Sequence, residues 1–269
     1  MLILVGLILS IGASIATYYG FGFFDRSLWY LFLLIPFVIT YFVIYLNIYW
    51  WTFVLLIAKY RKIENPGKVN KFFLYNIRMV SAFVLTINGV AVKKLNKKNW
   101  PKETGLYLFN HVSDYDPWAI YKVMGGRYAF VGKKALRNIP MVRCITSSIG
   151  TLYVDNGDKE LNNLMVDLAS DYISNKETSV VIAPEGTRNF NGGILPFKHG
   201  GFHIAKRCKC PIFLIGIKGM DAANKKSKLK IAKTEVDYFG VVRPEEYEGL
   251  SAGEIAQLCE SKYKEYFGV

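Results

Sequence analysis

Two long stretches without a charged side chain constrain this chain more than any other feature. Residues 2 to 24 contain no Asp, Glu, Lys or Arg, and after Asp25 and Arg26 the chain again runs uncharged from 27 to 58. A helix rises 1.5 Å per residue, so 23 residues reach about 34 Å, enough for a hydrocarbon core of about 30 Å. The first stretch is therefore expected to be a transmembrane span. A cleaved signal peptide fits less well: no Lys or Arg opens it, the apolar run is too long, and no small-residue cleavage site precedes Asp25. In the second stretch Trp29 and Tyr30 precede Trp50 and Trp51 by about 32 Å of helix, the spacing of two aromatic belts. Pro36 leaves a kink, a tilt or an interfacial hairpin open.

The charge lies beyond this hairpin. The chain has 34 Lys and Arg against 21 Asp and Glu, and the whole net charge of +13 falls after residue 58. Such a field attracts any polyanion, whether nucleic acid, anionic lipid or an acidic protein. The apolar N-terminus selects the bilayer, with no nucleic acid as partner. Lys59, Arg61, Lys62, Lys68, Lys71 and Arg78 face the single Glu64 between 59 and 78, so the positive-inside rule sets the remaining chain on the cytoplasmic face. Residues 68 to 87 interleave Phe72, Phe73, Ile77, Val80, Phe83 and Val84 with basic residues, as an amphipathic helix on that surface or an ordinary core helix would. The expected organisation is a membrane-embedded helical hairpin over 1–58, an amphipathic linker helix over 59–88 and a cytoplasmic domain over 89–269.

From Gly89 onward short apolar runs alternate with helical periodicity. Residues 90–92, 106–109, 179–183 and 212–217 read as strands, and 159–174 places Leu161, Leu164, Met165, Leu168 and Tyr172 on one helical face. Ser251 with Glu254 forms a capping box ahead of Ile255 and Leu258. The alternation predicts an α/β domain with a mostly parallel sheet flanked by helices. Lys-rich stretches at 96–102 and 225–230 are expected as solvated loops able to meet anionic lipid. Cys144, Cys208, Cys210 and Cys259 include no CxxC pair, and with only three histidines no metal site is expected.

Two loops carry the chemistry. The strand at 106–109 ends in Asn110-His111-Val112-Ser113-Asp114-Tyr115-Asp116-Pro117. Pro117 suits the first turn of a helix, which sets His111 at a strand's carboxyl end and Asp116 where a helix begins. A carboxylate folded back onto Nδ1 would fix the imidazole tautomer and leave Nε2 free to take a proton. Asp114 competes for that role, and surface hydrogen bonding is the bland reading. The second loop, Pro184-Glu185-Gly186-Thr187-Arg188, follows the strand at 179–183 and converges on the same sheet edge. Arg188 offers a planar fork to phosphate, Gly186 permits close backbone approach and Thr187 adds a hydroxyl. His199 and His203 read as packing or capping residues.

In this order and spacing the motifs resemble those of the lysophosphatidic acid acyltransferase family of glycerolipid acyltransferases, over about residues 89 to 211. Val131-Gly132-Lys133-Lys134-Ala135-Leu136, ahead of Ile139-Pro140, is similar to the family segment that bears a phosphate-contacting lysine, which implies that role for Lys133. Phe197-Lys198-His199-Gly200-Gly201 and Cys210-Pro211-Ile212 resemble later family segments. The resemblance implies transfer of an acyl chain from acyl-CoA or acyl carrier protein, as co-substrate and without other cofactor, to a lysophospholipid hydroxyl. His111 and Asp116 would be catalytic; Lys133, Glu185, Gly186, Thr187 and Arg188 would bind substrate. One departure stands out: in Gly150-Thr151-Leu152-Tyr153-Val154-Asp155-Asn156 the family ends on arginine where this chain has Asn156.

Overall fold

The computed structural model describes residues 2–22, 32, 34–60, 71–125, 128–139, 142–143, 146, 149–176, 178–190, 193–224 and 231–269. Two compact units emerge, Met1–Lys59 and Tyr60–Val269.

The first unit holds α1 (Leu2–Gly20) and most of α2 (Leu34–Tyr60). Within the uncharged stretch 2–24 the helix covers Leu2–Gly20, ahead of a turn in which Gly22 takes φ +66°, and its 19 residues reach about 28 Å. Among the described residues, Leu34–Thr52 is long and apolar enough to cross a membrane. Pro36 falls in the first turn of α2, where its missing N–H costs no hydrogen bond, so it introduces no kink. A seam of small residues lets the helices approach. Gly6, Ser10 and Ser14 are buried, Tyr45 packs where a Cβ on Gly6 would stand, and Thr17 shares a 2.6 Å hydrogen bond with Tyr41. Asp25, Arg26, Trp29 and Tyr30, the basic residues between 61 and 68, Pro140, Cys144 and the 225–230 segment lie outside the described residues.

The second unit is a seven-stranded sheet between two layers of helices. Its strands are β1 (Val90–Lys94), β2 (Leu106–Phe109), β3 (Tyr128–Lys133), β4 (Leu152–Val154), β5 (Ser179–Ile182), β6 (Ile212–Lys218) and β7 (Ala232–Val242), in the order β1-β7-β6-β2-β5-β3-β4. From β6 to β4 every neighbouring pair is parallel; β7 joins β6 antiparallel and β1 runs parallel to β7. The central strands β2, β5 and β6 are buried on both faces, which explains why they read as continuous apolar runs. Leu106 and Leu108 pack with Phe202, Ile204, Tyr172 and Tyr263, beneath α5 (Lys159–Ser174), α6 (Phe202–Cys208) and α7 (Ala252–Phe267). Tyr107 and Phe109 point the other way and meet Tyr128, Phe213 and Phe130 under α4 (Asp116–Met124).

The helix α3 (Lys71–Ile87) packs within this unit. Ile77, Ser81 and Leu85, spaced four apart, are buried, and Arg78 Nε donates to the Lys122 carbonyl at the end of α4 at 2.9 Å. A second stripe two residues on, Met79, Phe83 and Ile87, stays exposed, so α3 has one apolar edge toward the domain and one away from it.

Where β6 meets β7 the register slips between Leu214 and Ile215. There the Tyr263 hydroxyl of α7, fully buried, accepts from the Ile215 N–H at 3.2 Å and donates to its carbonyl at 2.9 Å. Tyr263→Phe should therefore destabilise the domain by about 1–3 kcal/mol, the usual cost of stranding buried backbone groups. Thermal denaturation reads this directly, and an unchanged melting temperature would show that Ile215 finds other partners.

Candidate active site

Four parallel strands end side by side, β2, β5, β3 and β4, and the loops after them share one cavity of about 1480 Å³. This is the carboxyl edge of a parallel sheet, where ligand crevices form in α/β proteins. Its lining runs from apolar side chains such as Phe109, Trp118, Phe130 and Leu136 to a polar end with His111, Lys133, Thr187 and Arg188.

The β2 loop is tied down at every step. Beyond the last ladder pair, the buried Asn110 side chain imitates a further rung: it accepts from the Ile217 N–H at 2.7 Å and donates to the Ile217 carbonyl at 3.0 Å. The His111 N–H donates to Glu185 Oε1 at 2.8 Å and its carbonyl accepts from the Asn189 N–H at 2.7 Å. Asn224, in the short 3-10 turn after β6, donates to the Val112 carbonyl at 2.7 Å and accepts from the Ser113 hydroxyl at 2.8 Å. Ser113 is wholly buried and also accepts from the Tyr115 N–H, so its hydroxyl serves the loop rather than the cavity.

Asp116 opens α4, with Pro117 beside it in the first turn. It is fully buried, and Oδ2 alone accepts three N–H groups: His111 Nδ1 at 2.8 Å, Val112 at 2.7 Å and Ser113 at 2.8 Å. Burial pushes the carboxyl up from the usual range; the His111 bond and the two backbone donors pull it back toward the charged form. With Nδ1 so engaged, the imidazole edge carrying Nε2 has no hydrogen-bond partner among the described residues, and the ring lines the cavity. Asp114 does not compete for Nδ1. It is largely exposed and ion-paired with Arg188, whose guanidinium also lies 4.9 Å from the Phe190 ring.

The β5 loop differs from expectation at one residue. Gly186 takes φ +66°, and Thr187 and Arg188 line the cavity, but Glu185 is turned inward. It is 2% exposed, with Oε1 on the His111 N–H and Oε2 on the Leu195 N–H at 3.0 Å. Burial pushes its pKa up to about 7 against the pull of these donors. Glu185, expected to bind substrate, here joins the β2 loop to the segment after β5 through these two bonds. Lys133 ends β3 and Asn156 follows β4, both exposed and both on the cavity. His199 and His203 are exposed, with ring centres 6.3 Å apart. Among the described residues no three His, Cys, Asp or Glu side chains group as a metal site would need.

Residues 91–218 match the acyltransferase family. The 1-acyl-sn-glycerol-3-phosphate acyltransferase of Haemophilus influenzae is 36% identical over 157 residues, covering 58% of this chain and 63% of that protein. The protein of the same name from Salmonella typhimurium is 25% identical over 196 residues, covering 73% and 78%. Among solved structures, the 1-acyl-sn-glycerophosphate acyltransferase of Thermotoga maritima superposes with a TM-score of 0.63 at 22% identity, over 80% of this chain and 86% of that one, a likeness of fold.

The dyad geometry makes a spectroscopic prediction. Free neutral imidazole exchanges between tautomers, but a carboxylate on Nδ1 should hold the proton there. Nitrogen-15 NMR of the neutral His111 imidazole should show one Nδ1–H tautomer, and Asp116→Ala should return a mixture. An Nε2–H tautomer in the unaltered protein would contradict the dyad.

Proposed function

We propose that this chain is an acyltransferase of the family its residues 91–218 match, and that it transfers a fatty acyl chain from a thioester donor to the sn-2 hydroxyl of 1-acylglycerol 3-phosphate, giving phosphatidic acid. The observation that carries this reading is the His111–Asp116 pair, Nδ1 held at 2.8 Å and Nε2 open to a cavity that also receives Lys133 and Arg188. The names of the Haemophilus influenzae and Salmonella typhimurium relatives support the choice of acceptor.

In this mechanism Nε2 takes the proton from the acceptor hydroxyl as its oxygen attacks the thioester carbonyl. The new C–O bond forms, the C–S bond breaks, and the departing thiolate recovers the proton from the imidazolium. Asp116 holds the ring throughout and stabilises its transient charge. No side chain need become acylated, because the attacking oxygen belongs to the acceptor. Backbone amides around 185–187 would help to stabilise charge on the carbonyl oxygen, with the Gly186 N–H itself engaged by the Ala183 carbonyl at 3.1 Å. Lys133 and Arg188 would hold the phosphate, with the Asp114 partner of Arg188 exchanged for substrate. The cavity exceeds the usual 300–1,000 Å³ of a small-molecule site, as two acyl-bearing substrates require.

The membrane setting follows from the same chemistry. Acceptor and product are amphiphiles, and α2 offers a segment able to span. On α3 the exposed Met79, Phe83 and Ile87 stripe provides an apolar edge for the bilayer surface, while Ile77 on its other side lines the cavity. We place the catalytic domain on the cytoplasmic face, where the basic surplus meets anionic lipid and acidic donors.

Purified protein in vesicles, given 1-acylglycerol 3-phosphate and acyl-CoA or acyl carrier protein, should yield phosphatidic acid by mass analysis. His111→Ala should lose about 10³-fold or more with its melting temperature kept, since a base is removed from a loop already held by its backbone. Activity within a few-fold of the unaltered protein would remove His111 from catalysis. Asn156→Arg should improve use of this acceptor if phosphate is the native head group. A fall, with activity retained on an acceptor bearing a larger head group, would change the substrate and leave the mechanism.

A further inference from the structure

Position 156 lacks a cation, yet the cavity contains basic side chains beyond those already given a role. Of the basic side chains that line it, Arg188 is ion-paired with Asp114, Lys134 with Asp158 at 3.2 Å and Arg207 with Asp167, whereas Lys133 and Lys206 have no carboxylate partner among the described residues. Lys198 is exposed on the cavity and has no carboxylate partner among the described residues. Its backbone is nevertheless fixed: the Lys198 N–H donates to the Pro184 carbonyl at 2.8 Å, and the preceding Phe197 N–H donates to Glu260 Oε2 at 2.8 Å.

The side chain crosses the β5 turn. A Cβ built on Gly186 would stand 2.9 Å from Lys198 Cδ and 3.0 Å from Nζ. Glycine at 186 thus serves two ends, the φ of +66° and the passage of a lysine directly over the turn. This position is closer to the base than position 156 is. Strands lie about 4.8 Å apart, so the β5 turn is one spacing from the His111 loop, whereas the residue after β4 is three spacings away, about 14 Å.

The geometry points to Lys198 as a third anion-binding residue of the cavity, contacting the acceptor's phosphate beside Arg188 and supplying the charge that Asn156 does not. This rests on the proposed function for the identity of the anion, and on the Gly186 contact for the site.

The test uses the full chain in vesicles, with Lys198→Met and Lys198→Arg. Lys198→Met should raise KM for 1-acylglycerol 3-phosphate about ten-fold, with kcat and the donor KM within about two-fold, and Lys198→Arg should restore it. A monoacylglycerol acceptor without phosphate should show no such dependence. Independently of turnover, phosphorus-31 line broadening of glycerol 3-phosphate by the unaltered protein should be lost in Lys198→Met at an unchanged melting temperature. An unchanged acceptor KM in an active enzyme overturns the site and leaves the function. A raised donor KM or a lowered kcat alone would also overturn it, assigning Lys198 to the thioester. If no phosphorylated acceptor turns over but line broadening still depends on Lys198, the anion site stands and the proposed function falls.

Discussion

The structure depends on one buried oxygen. Asp116 Oδ2 gathers three N–H groups from the residues just before it, and in doing so sets the course of the β2 loop, the start of α4 and the orientation of His111. A buried carboxylate is costly unless it is hydrogen-bonded, and here two of the three donors come from backbone whose path is fixed elsewhere. Asn110 fixes it on β6, Glu185 and Asn189 on the β5 side, and Asn224 from beyond β6. The imidazole is thus presented by a lattice of main-chain bonds, and a catalytic base needs that kind of preorganisation.

The same strand-end logic arranges the charges. Because β2, β5, β3 and β4 are neighbours in that order, the base, the glycine turn, the lysine of β3 and Asn156 form a row along one edge of the sheet. On the proposed function, anion contacts would fall at graded distances from His111, and the turn after β5 is the first of these positions in the row. Trp118 and Tyr121 of α4 and Leu136 after β3 add an apolar lining to the same cavity.

Much of this was legible in sequence because it is local. His111, Asp116 and Pro117 lie within one loop, the apolar runs at 106–109, 179–182 and 212–217 are doubly buried strands, and Ser251 with Glu254 forms the expected capping box. What escaped was long-range. Strands β3, β4 and β7 carry weaker patterns, since β7 mixes buried and half-exposed residues and β4 spans only Leu152–Val154. Asn224 acts on residues more than a hundred positions earlier, and nothing near it in sequence signals a partner. The inward turn of Glu185 is long-range too: its oxygens accept from the N–H groups of His111 and Leu195, and nothing beside it in sequence signals either partner.

The central claim is that His111 Nε2 stands ready to deprotonate a hydroxyl whose phosphate is held along the β5 and β3 strand ends. A crystal structure of the protein with phosphatidic acid bound tests it most directly. The account predicts the sn-2 ester oxygen within about 3.2 Å of Nε2, the phosphate among Lys133, Arg188 and Lys198, and an acyl chain beneath Trp118 and Phe130. A product whose ester lies beyond reach of Nε2, or whose phosphate sits away from the β5 turn, would contradict it.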